Sequence, residues 1–337
     1  MDLIPDIIKN VLILFLMMIP GVIIKKCNLI SDGFGKGLSN LVLYIAQPAL
    51  IFLAYVREFD KEILVNSLWV ILFATVTHVI FALTSLMLFG NAEDAKRRML
   101  RFATTFSNAA FMGIPLIGAV MGSDALIYAS VYNIVFNLFL WSFGVNICTK
   151  EPKESENEKE LGKLACQKNG GSLMKAVIHP VTLAAVLGLL FFFTPLNRFL
   201  NGDNYAGEII SESLVMLKAL VAPLSMVVIG IRLADMNLNG FFGDKYLYLF
   251  LSLRHILLPL AAAAVIRLLM LTGASISADI LKVVVILACA PAATSSTMFA
   301  EKYDCDSEYV SKLVAVSTII SIITMPAVIF ISTLGLS

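Results

Sequence analysis

The chain has 337 residues, of which 59% are hydrophobic and 15% charged, and its mean hydropathy is +0.88. Soluble domains average roughly 45–50% apolar and about 25% charged residues, so the composition indicates a polytopic membrane protein and excludes large soluble domains. Lys and Arg total 25 and Asp and Glu total 24, so no net charge points to nucleic acid. The five cysteines form no Cys-x-x-Cys pair, and neither a metal site nor a cofactor is predicted.

Long apolar runs separated by short polar breaks extend along the whole chain, without the strict alternation of a transmembrane barrel. Because about 20 apolar residues cross the hydrocarbon core as a helix, this pattern predicts an all-α membrane protein with ten transmembrane helices. The predicted spans, one to ten, are 5–25, 37–56, 63–89, 98–121, 124–148, 176–195, 207–234, 245–271, 278–300 and 308–335.

The basic residues are distributed unequally between the two sides of this predicted bundle. Of the 25 Lys and Arg residues, 18 lie on the side of the breaks after the odd-numbered spans and 7 on the other. Since cytoplasmic loops are enriched in Lys and Arg, we expect a multi-pass protein of the cytoplasmic membrane with both termini outside. The charged segment 149–175 is then a cytoplasmic linker, since its composition cannot bury a core.

Eight of the eleven prolines pair at a nearly constant offset, which predicts an internal repeat. The offset is 175 for Pro5 with Pro180, Pro20 with Pro195 and Pro48 with Pro223, and 176 for Pro115 with Pro291. A five-helix unit has its ends on opposite sides of the membrane, so a second copy must be inverted. The predicted units are residues 1–148 and 176–337, and many secondary transporters share this plan because two like halves can present one site alternately to each side.

Spans four and nine each contain an internal proline, Pro115 or Pro291, among small and polar residues. Proline removes an amide donor and disfavours helix at the preceding residue, so both helices are expected to break there. Freed backbone groups at membrane depth need protein or a watery cavity, so the matched breaks predict a substrate site. The half-helices that follow would direct amide donors and positive dipole ends toward an anion. The predicted ligands are Asn108, Gly113, Pro115, Pro291, Thr294, Ser295, Ser296 and Thr297.

Other polar residues within the spans have two interpretations each. Asn133 and Asn137 share a helix face and either reach the cavity or bond between helices. Arg254 either binds a substrate carboxylate or binds unwound backbone carbonyls. His78 and His255, which are 177 residues apart, are either packing groups or proton carriers. The dipeptides Gln47-Pro48 and Ala222-Pro223 are interpreted as kinks in the scaffold.

Several of these segments together resemble a known family. They are Asn108-x-x-Phe-Met-Gly-Ile-Pro115-Leu116, Ala222-Pro223-Leu224, Arg254-x-x-x-x-Pro259 and Ala290-Pro291-Ala292-Ala293-Thr294. With them the whole chain resembles the auxin efflux carrier family, whose fold is similar to that of sodium/proton antiporters. The resemblance implies two inverted repeats, a crossing of spans four and nine at Pro115 and Pro291, and a substrate-binding role for Asn108. It further implies a homodimer through scaffold helices one, two, six and seven, with the other six as a mobile transport domain of the elevator type.

The leading hypothesis is an efflux carrier of small organic anions such as carboxylates, driven by membrane potential. Auxin itself is disfavoured, because the Asp and Lys associated with span three of plant exporters are replaced near Ala74 and His78. The carboxylates of Asp235 and Glu301 lie near span ends, so no carboxylate relay for protons is predicted. The alternatives are a proton-coupled importer or exchanger that uses His78 and His255, and an ion channel or non-transporting sensor. No converging catalytic groups are visible, so an enzyme is not predicted.

Overall fold

The computed structural model describes residues 3–31, 33–149, 178–201, 204–234 and 241–334, and every regular element in these ranges is helical. The predicted linker therefore lies outside the described residues apart from Thr149. The helices are α1 (Pro5–Lys26), α2 (Phe34–Tyr55), α3 (Lys61–Leu88), α4 (Asp94–Thr105), α5 (Ala109–Met121), α6 (Leu126–Cys148), α7 (Pro180–Phe193), α8 (Tyr205–Ala234), α9 (Lys245–Leu271), α10 (Ala278–Cys289), α11 (Ser295–Lys302) and α12 (Ser307–Thr333), with further short turns at Asn197–Asn201 and Phe241–Gly243.

The all-α class is confirmed, but ten continuous spanning helices are not. Within the described ranges, seven helices are long and apolar enough to cross a membrane: α1, α2, α3, α6, α8, α9 and α12. Predicted span six is the 14-residue helix α7. Predicted spans four and nine are each divided in two, into α4 with α5 and α10 with α11, because the chain becomes extended between the halves.

Helix α7 illustrates how the membrane environment shapes the surface. Its inward side packs small and apolar residues against the bundle. On the other side, the side chains of Leu183, Leu187 and Leu190 are each about half exposed. A helix that is apolar all round is expected where the outer solvent is hydrocarbon. The exposed face is therefore a lipid-facing surface.

Helices α1 and α8 approach each other closely at two glycines. A Cβ added at Gly21 would lie 2.2 Å from the carbonyl oxygen of Val227, and one added at Gly230 would lie 2.0 Å from that of Met18. Small residues let helix backbones approach closely in membranes, where packing replaces the hydrophobic effect between helices. Any side chain at either position would force these two helices apart.

Helix contacts fall into two sets. Helices α1, α2, α7 and α8 pack on one another, with α7 against the second half of α2 and α8 against α1. Helices α3, α4, α6, α9, α10, α11 and α12 form the second set, in which α10 packs against both α9 and α12. Helix α5 contacts members of both, including α1 and α6, and the two sets also touch where α1 packs on α12 and α2 packs on α6. Helix α5, the second half of one interrupted helix, thus lies where the second set meets the first.

Candidate functional site

The two interrupted helices meet through their backbones. Beyond α4 and α10 the chain runs antiparallel in a single β-bridge between Ser107 and Ala292. The Asn108 amide donates to the Pro291 carbonyl at 2.7 Å, and the Ala293 amide donates to the Phe106 carbonyl at 3.0 Å. Each interruption therefore supplies hydrogen-bond partners for the other.

The interruption in predicted span four lies at 106–108, which corrects its expected position at Pro115. Pro115 is instead the second residue of the α-helical part of α5, Ile114–Met121. Proline is tolerated there because the first helical turn needs no amide donor from it. Pro291, in contrast, lies in the extended segment as expected. Gly113 is packed against α10, since a Cβ there would lie 2.7 Å from a methyl group of Leu287.

Arg254 satisfies backbone carbonyls on both interrupted helices. Its guanidinium donates to Thr104 O at 3.2 Å, to Ala288 O at 2.9 Å and to Ala290 O at 2.8 Å, and the side chain is 0% exposed. The guanidinium carbon also lies 5.2 Å from the centre of the Phe81 ring. Of its two interpretations, the geometry favours binding to unwound carbonyls, which need buried donors at membrane depth.

A second support comes from α9 and α12. The Ala292 amide donates to Ser317 Oγ at 2.9 Å, and this hydroxyl lies 2.8 Å from His255 Nε2. Thr324 Oγ1 lies 3.0 Å from His255 Nδ1 and donates to Ile320 O at 3.1 Å. Because Thr324 gives its own proton to Ile320 O, Nδ1–H donates to Thr324, and a neutral ring then accepts at Nε2 from the Ser317 hydroxyl. His255 therefore holds the interruption in place through Ser317.

His78 has a different environment. Its Nδ1 donates to Ala74 O of its own helix at 2.7 Å, and its ring packs among aromatic side chains of α6: Tyr132, Phe136 and Phe139. Both histidines are buried, and the bonds of each suit a neutral packing group.

A cavity of about 190 Å³ lies beside the crossing. Five predicted ligands line it together, namely Asn108, Asn133, Asn137, Thr294 and Ser295. Gly113, Pro115, Pro291, Ser296 and Arg254 are not in its lining. Polar residues that the sequence reasoning did not assign to the site also line it: Ser39, Asn40, Tyr44, Gln47, Ser107, His179 and Arg232.

Three buried polar atoms of this lining have no hydrogen-bond partner: Asn108 Nδ2, Asn133 Oδ1 and Gln47 Oε1. The exposed fractions of Asn108 and Asn133 are 2% each, and Gln47 is 0% exposed. Buried polar groups are almost always paired, so such a cluster around one cavity indicates a place for a polar ligand or water. Side-chain amides supply both donors and acceptors, which suits a carboxylate or hydroxyl group.

The lining is electrostatically suited to negative charge. Helices α5 and α11 begin beside the cavity, at Asn108 and at Thr294, so their first amides and positive dipole ends face it. Among the described residues in the lining there is no Asp, Glu or Lys, and the ionisable side chains are those of Tyr44, His179 and Arg232.

A wider opening, here called the vestibule, adjoins this cavity. Its lining includes Lys25, Lys36, Arg232, Lys302 and Lys312 together with Glu301 and Glu308, an excess of basic side chains. Arg232 and Met298 belong to both linings. The Arg232 guanidinium donates to Thr294 O at 2.8 Å and to Thr297 Oγ1 at 2.9 Å, so it ties α8 to the start of α11 at the boundary. Asp235 lies outside the described residues.

Interrupted helices that cross beside a polar cavity, in a bundle of apolar helices, are the architecture of a membrane transporter. A family model described as "Membrane transport protein" matches residues 6–329. The chain belongs to that family, the auxin efflux carrier family, which confirms the resemblance found in the sequence.

Two archaeal relatives match over nearly their whole length. An uncharacterized transporter of Methanothermobacter thermautotrophicus is 24% identical over 321 residues, covering 94% of this chain and 96% of the relative. An uncharacterized transporter of Methanocaldococcus jannaschii is 21% identical over 321 residues, covering 94% and 95%. The protein is thus a multi-pass membrane transporter.

Proposed function

We propose that the protein carries small organic anions, with carboxylates as the substrate class. In this proposal the cavity beside the crossing is the substrate site. The observation that carries this proposal is the unpartnered donor Asn108 Nδ2 beside two helix N-termini, with Asn133 Oδ1 and Gln47 Oε1 as acceptors for a hydroxyl group of the substrate. Neutral donors and dipole ends stabilise a carboxylate without burying a second full charge, so the anion can also leave.

The size of the cavity supports a small substrate. Pockets for drug-sized ligands are typically ~300–1,000 Å³, whereas this cavity is about 190 Å³. A mono- or dicarboxylate of a few carbon atoms fits this scale. Phe111, Phe136 and Leu140 provide an apolar wall for the carbon skeleton.

The orientation predicted from the basic residues makes the vestibule cytoplasmic, so the described conformation is open to the inside. Its excess of basic side chains raises the local concentration of anions. An inside-negative potential of 100 mV is worth about 2.3 kcal/mol per charge and drives a monoanion outward. We therefore favour potential-driven efflux over proton-coupled uptake, for which His78 and His255 lie in environments that suit neutral rings.

The two sets of helix contacts support an elevator mechanism. Helices α1, α2, α7 and α8 correspond to the proposed scaffold, through which a homodimer would form. Helices α4, α10 and α11 of the interrupted pair belong to the other set, and α5 lies between the two. The antiparallel crossing and the proline offset support two inverted repeats, residues 1–148 and 176–337, joined by the cytoplasmic linker 149–175.

Counterflow in proteoliposomes tests the proposal. Purified protein is reconstituted with one unlabelled carboxylate inside, and uptake of the labelled compound is followed for a panel of mono- and dicarboxylates. Saturable counterflow with at least one member is expected. Unitary currents that do not saturate with substrate would show a channel instead, and neither counterflow nor current with any member would contradict the proposal.

A further inference from the structure

Arg254 lies where the negative ends of two helices converge. Helix α4 ends at Thr105 and α10 at Cys289, and the guanidinium donates to carbonyls in or just beyond their last turns. The last carbonyls of a helix lack intrahelical partners and carry the negative end of its dipole. Arg254 thus neutralises two helix ends at once.

In carriers with broken helices, the coupling cation is commonly held by unwound carbonyls and by the C-terminal ends of half-helices. The same types of atoms surround the Arg254 guanidinium. We infer that Arg254 is a built-in cation that occupies the place of an exchangeable coupling ion, so that this carrier has no sodium requirement. The inference rests on the proposed carrier function.

The choice of residue supports a role for the charge itself. A fully buried cation carries a large desolvation penalty, which a neutral amide donating to the same carbonyls would avoid. The contacts of the guanidinium are carbonyls and the Phe81 ring, with no carboxylate among them, so an ion pair does not offset that penalty. Arginine stays protonated under these conditions and spreads donors across a planar fork that can bridge two helices.

The first half of the chain offers no second cation at the corresponding place. The residue 177 positions before Arg254, in the register that pairs His78 with His255, is Thr77. In the part of the chain that the structure describes, no group of three or more His, Cys, Asp or Glu side chains is arranged to hold a metal ion. Arg254 is therefore the candidate for the positive charge at the crossing.

Thermal unfolding of the full-length protein in detergent tests this without a substrate. Melting temperatures are compared in sodium chloride and in choline chloride at equal ionic strength. The wild type is expected to show no difference. Arg254→Gln should melt lower, and sodium or guanidinium chloride should then raise its melting temperature by about 2–4 °C, as a ligand that binds the vacated site would do.

Two variants provide controls. Arg254→Lys keeps the charge and should not respond to sodium. Arg267 lies on the same helix and also donates to carbonyls, those of Ser332 and Leu334, but away from the crossing. Arg267→Gln should therefore melt equally in both salts, which separates loss of a cation at the crossing from loss of any arginine on α9.

Counterflow in the same two salts completes the test. A wild-type carrier that requires sodium would overturn the inference, and so would an Arg254→Gln variant that transports at the wild-type rate in choline. Should Arg254→Gln fail to fold, the wild-type salt comparison and the Arg254→Lys melting curves decide. Absence of any counterflow together with the expected melting responses would refute the proposed function while leaving the cation at the crossing established.

Discussion

Asn108 offers the sharpest test of the cavity as the substrate site. Its Nδ2 atom is buried and unpartnered, and its side chain makes no capping bond to α5, although its backbone bonds to Pro291. Asn108→Ala therefore removes the amide without breaking a bond from that nitrogen. We expect the free energy of unfolding to change by about 1 kcal/mol or less.

The loss of affinity should be much larger. A hydrogen bond to a charged group contributes roughly 1.5–3 kcal/mol, and each 1.4 kcal/mol is tenfold in Kd. Asn108→Ala should thus raise the Kd for the anion by about 10–150-fold. Asn108→Asp has nearly the same shape but places a carboxylate against the substrate, so it should bind more weakly still.

Isothermal titration of the purified variants with the best counterflow substrate measures the Kd, and thermal unfolding reports stability. Asn66→Ala is the matched control, because Asn66 is a buried asparagine bonded to the Tyr128 hydroxyl and does not line the cavity. It should lose stability and keep the Kd. An unchanged Kd in Asn108→Ala, or equal losses in both alanine variants, would refute the assignment. Tighter binding by Asn108→Asp would exclude an anionic substrate.

Two further predictions concern the scaffold and the crossing. Gly230→Leu should prevent normal packing of α8 on α1, since even a Cβ would meet backbone atoms there, and the protein should no longer elute as a single species in size-exclusion chromatography. Gly37 has open space around it, so the control Gly37→Ala should leave the free energy of unfolding unchanged or raise it by up to ~1 kcal/mol. Ser317→Ala should lower stability by about 1–3 kcal/mol and reduce counterflow, because a buried amide in the interruption loses its acceptor. Ser321→Ala, at an equally buried serine of the same helix that bonds only to that helix, should keep counterflow; equal losses in the two serine variants would contradict the role of Ser317.

The helical class was predictable because a bilayer leaves few choices. Each long apolar run must satisfy its own backbone bonds in hydrocarbon, so composition and run length predict helices. The position of the interruption in span four was not predictable in the same way. Pro115 is a local signal, yet it fits the first turn of a helix, whereas 106–108 is held extended by bonds to Pro291 and Ala293.

The sequence predicts which residues line the cavity only where a local pattern marks them. Asn108 and Thr294 precede half-helices, so their place near a break followed from the chain itself. The Gln47-Pro48 pattern predicts a scaffold kink, although an amide side chain in an apolar span is itself a signal of a polar contact. His179 and Arg232 reach the cavity through packing between distant helices, and the sequence holds no local signal for that.

At the crossing, the positive and negative ends of the helix dipoles face different places, and this arrangement predicts which step of transport depends on the membrane potential. The positive ends of α5 and α11 face the cavity, and the negative ends of α4 and α10 face Arg254. In the proposed elevator, Arg254 moves with the cavity, so the empty carrier bears one positive charge and the carrier loaded with a monoanion is nearly neutral.

Exchange, in which only the loaded form crosses, should then be insensitive to potential. Net efflux requires the empty form to return inward, and an inside-negative potential of 100 mV favours that charged step by about 2.3 kcal/mol. Valinomycin-imposed potentials on proteoliposomes should therefore change net flux of a monocarboxylate and leave counterflow of the same compound unchanged. A counterflow rate that follows the imposed potential would mean that the charge of Arg254 does not travel with the substrate.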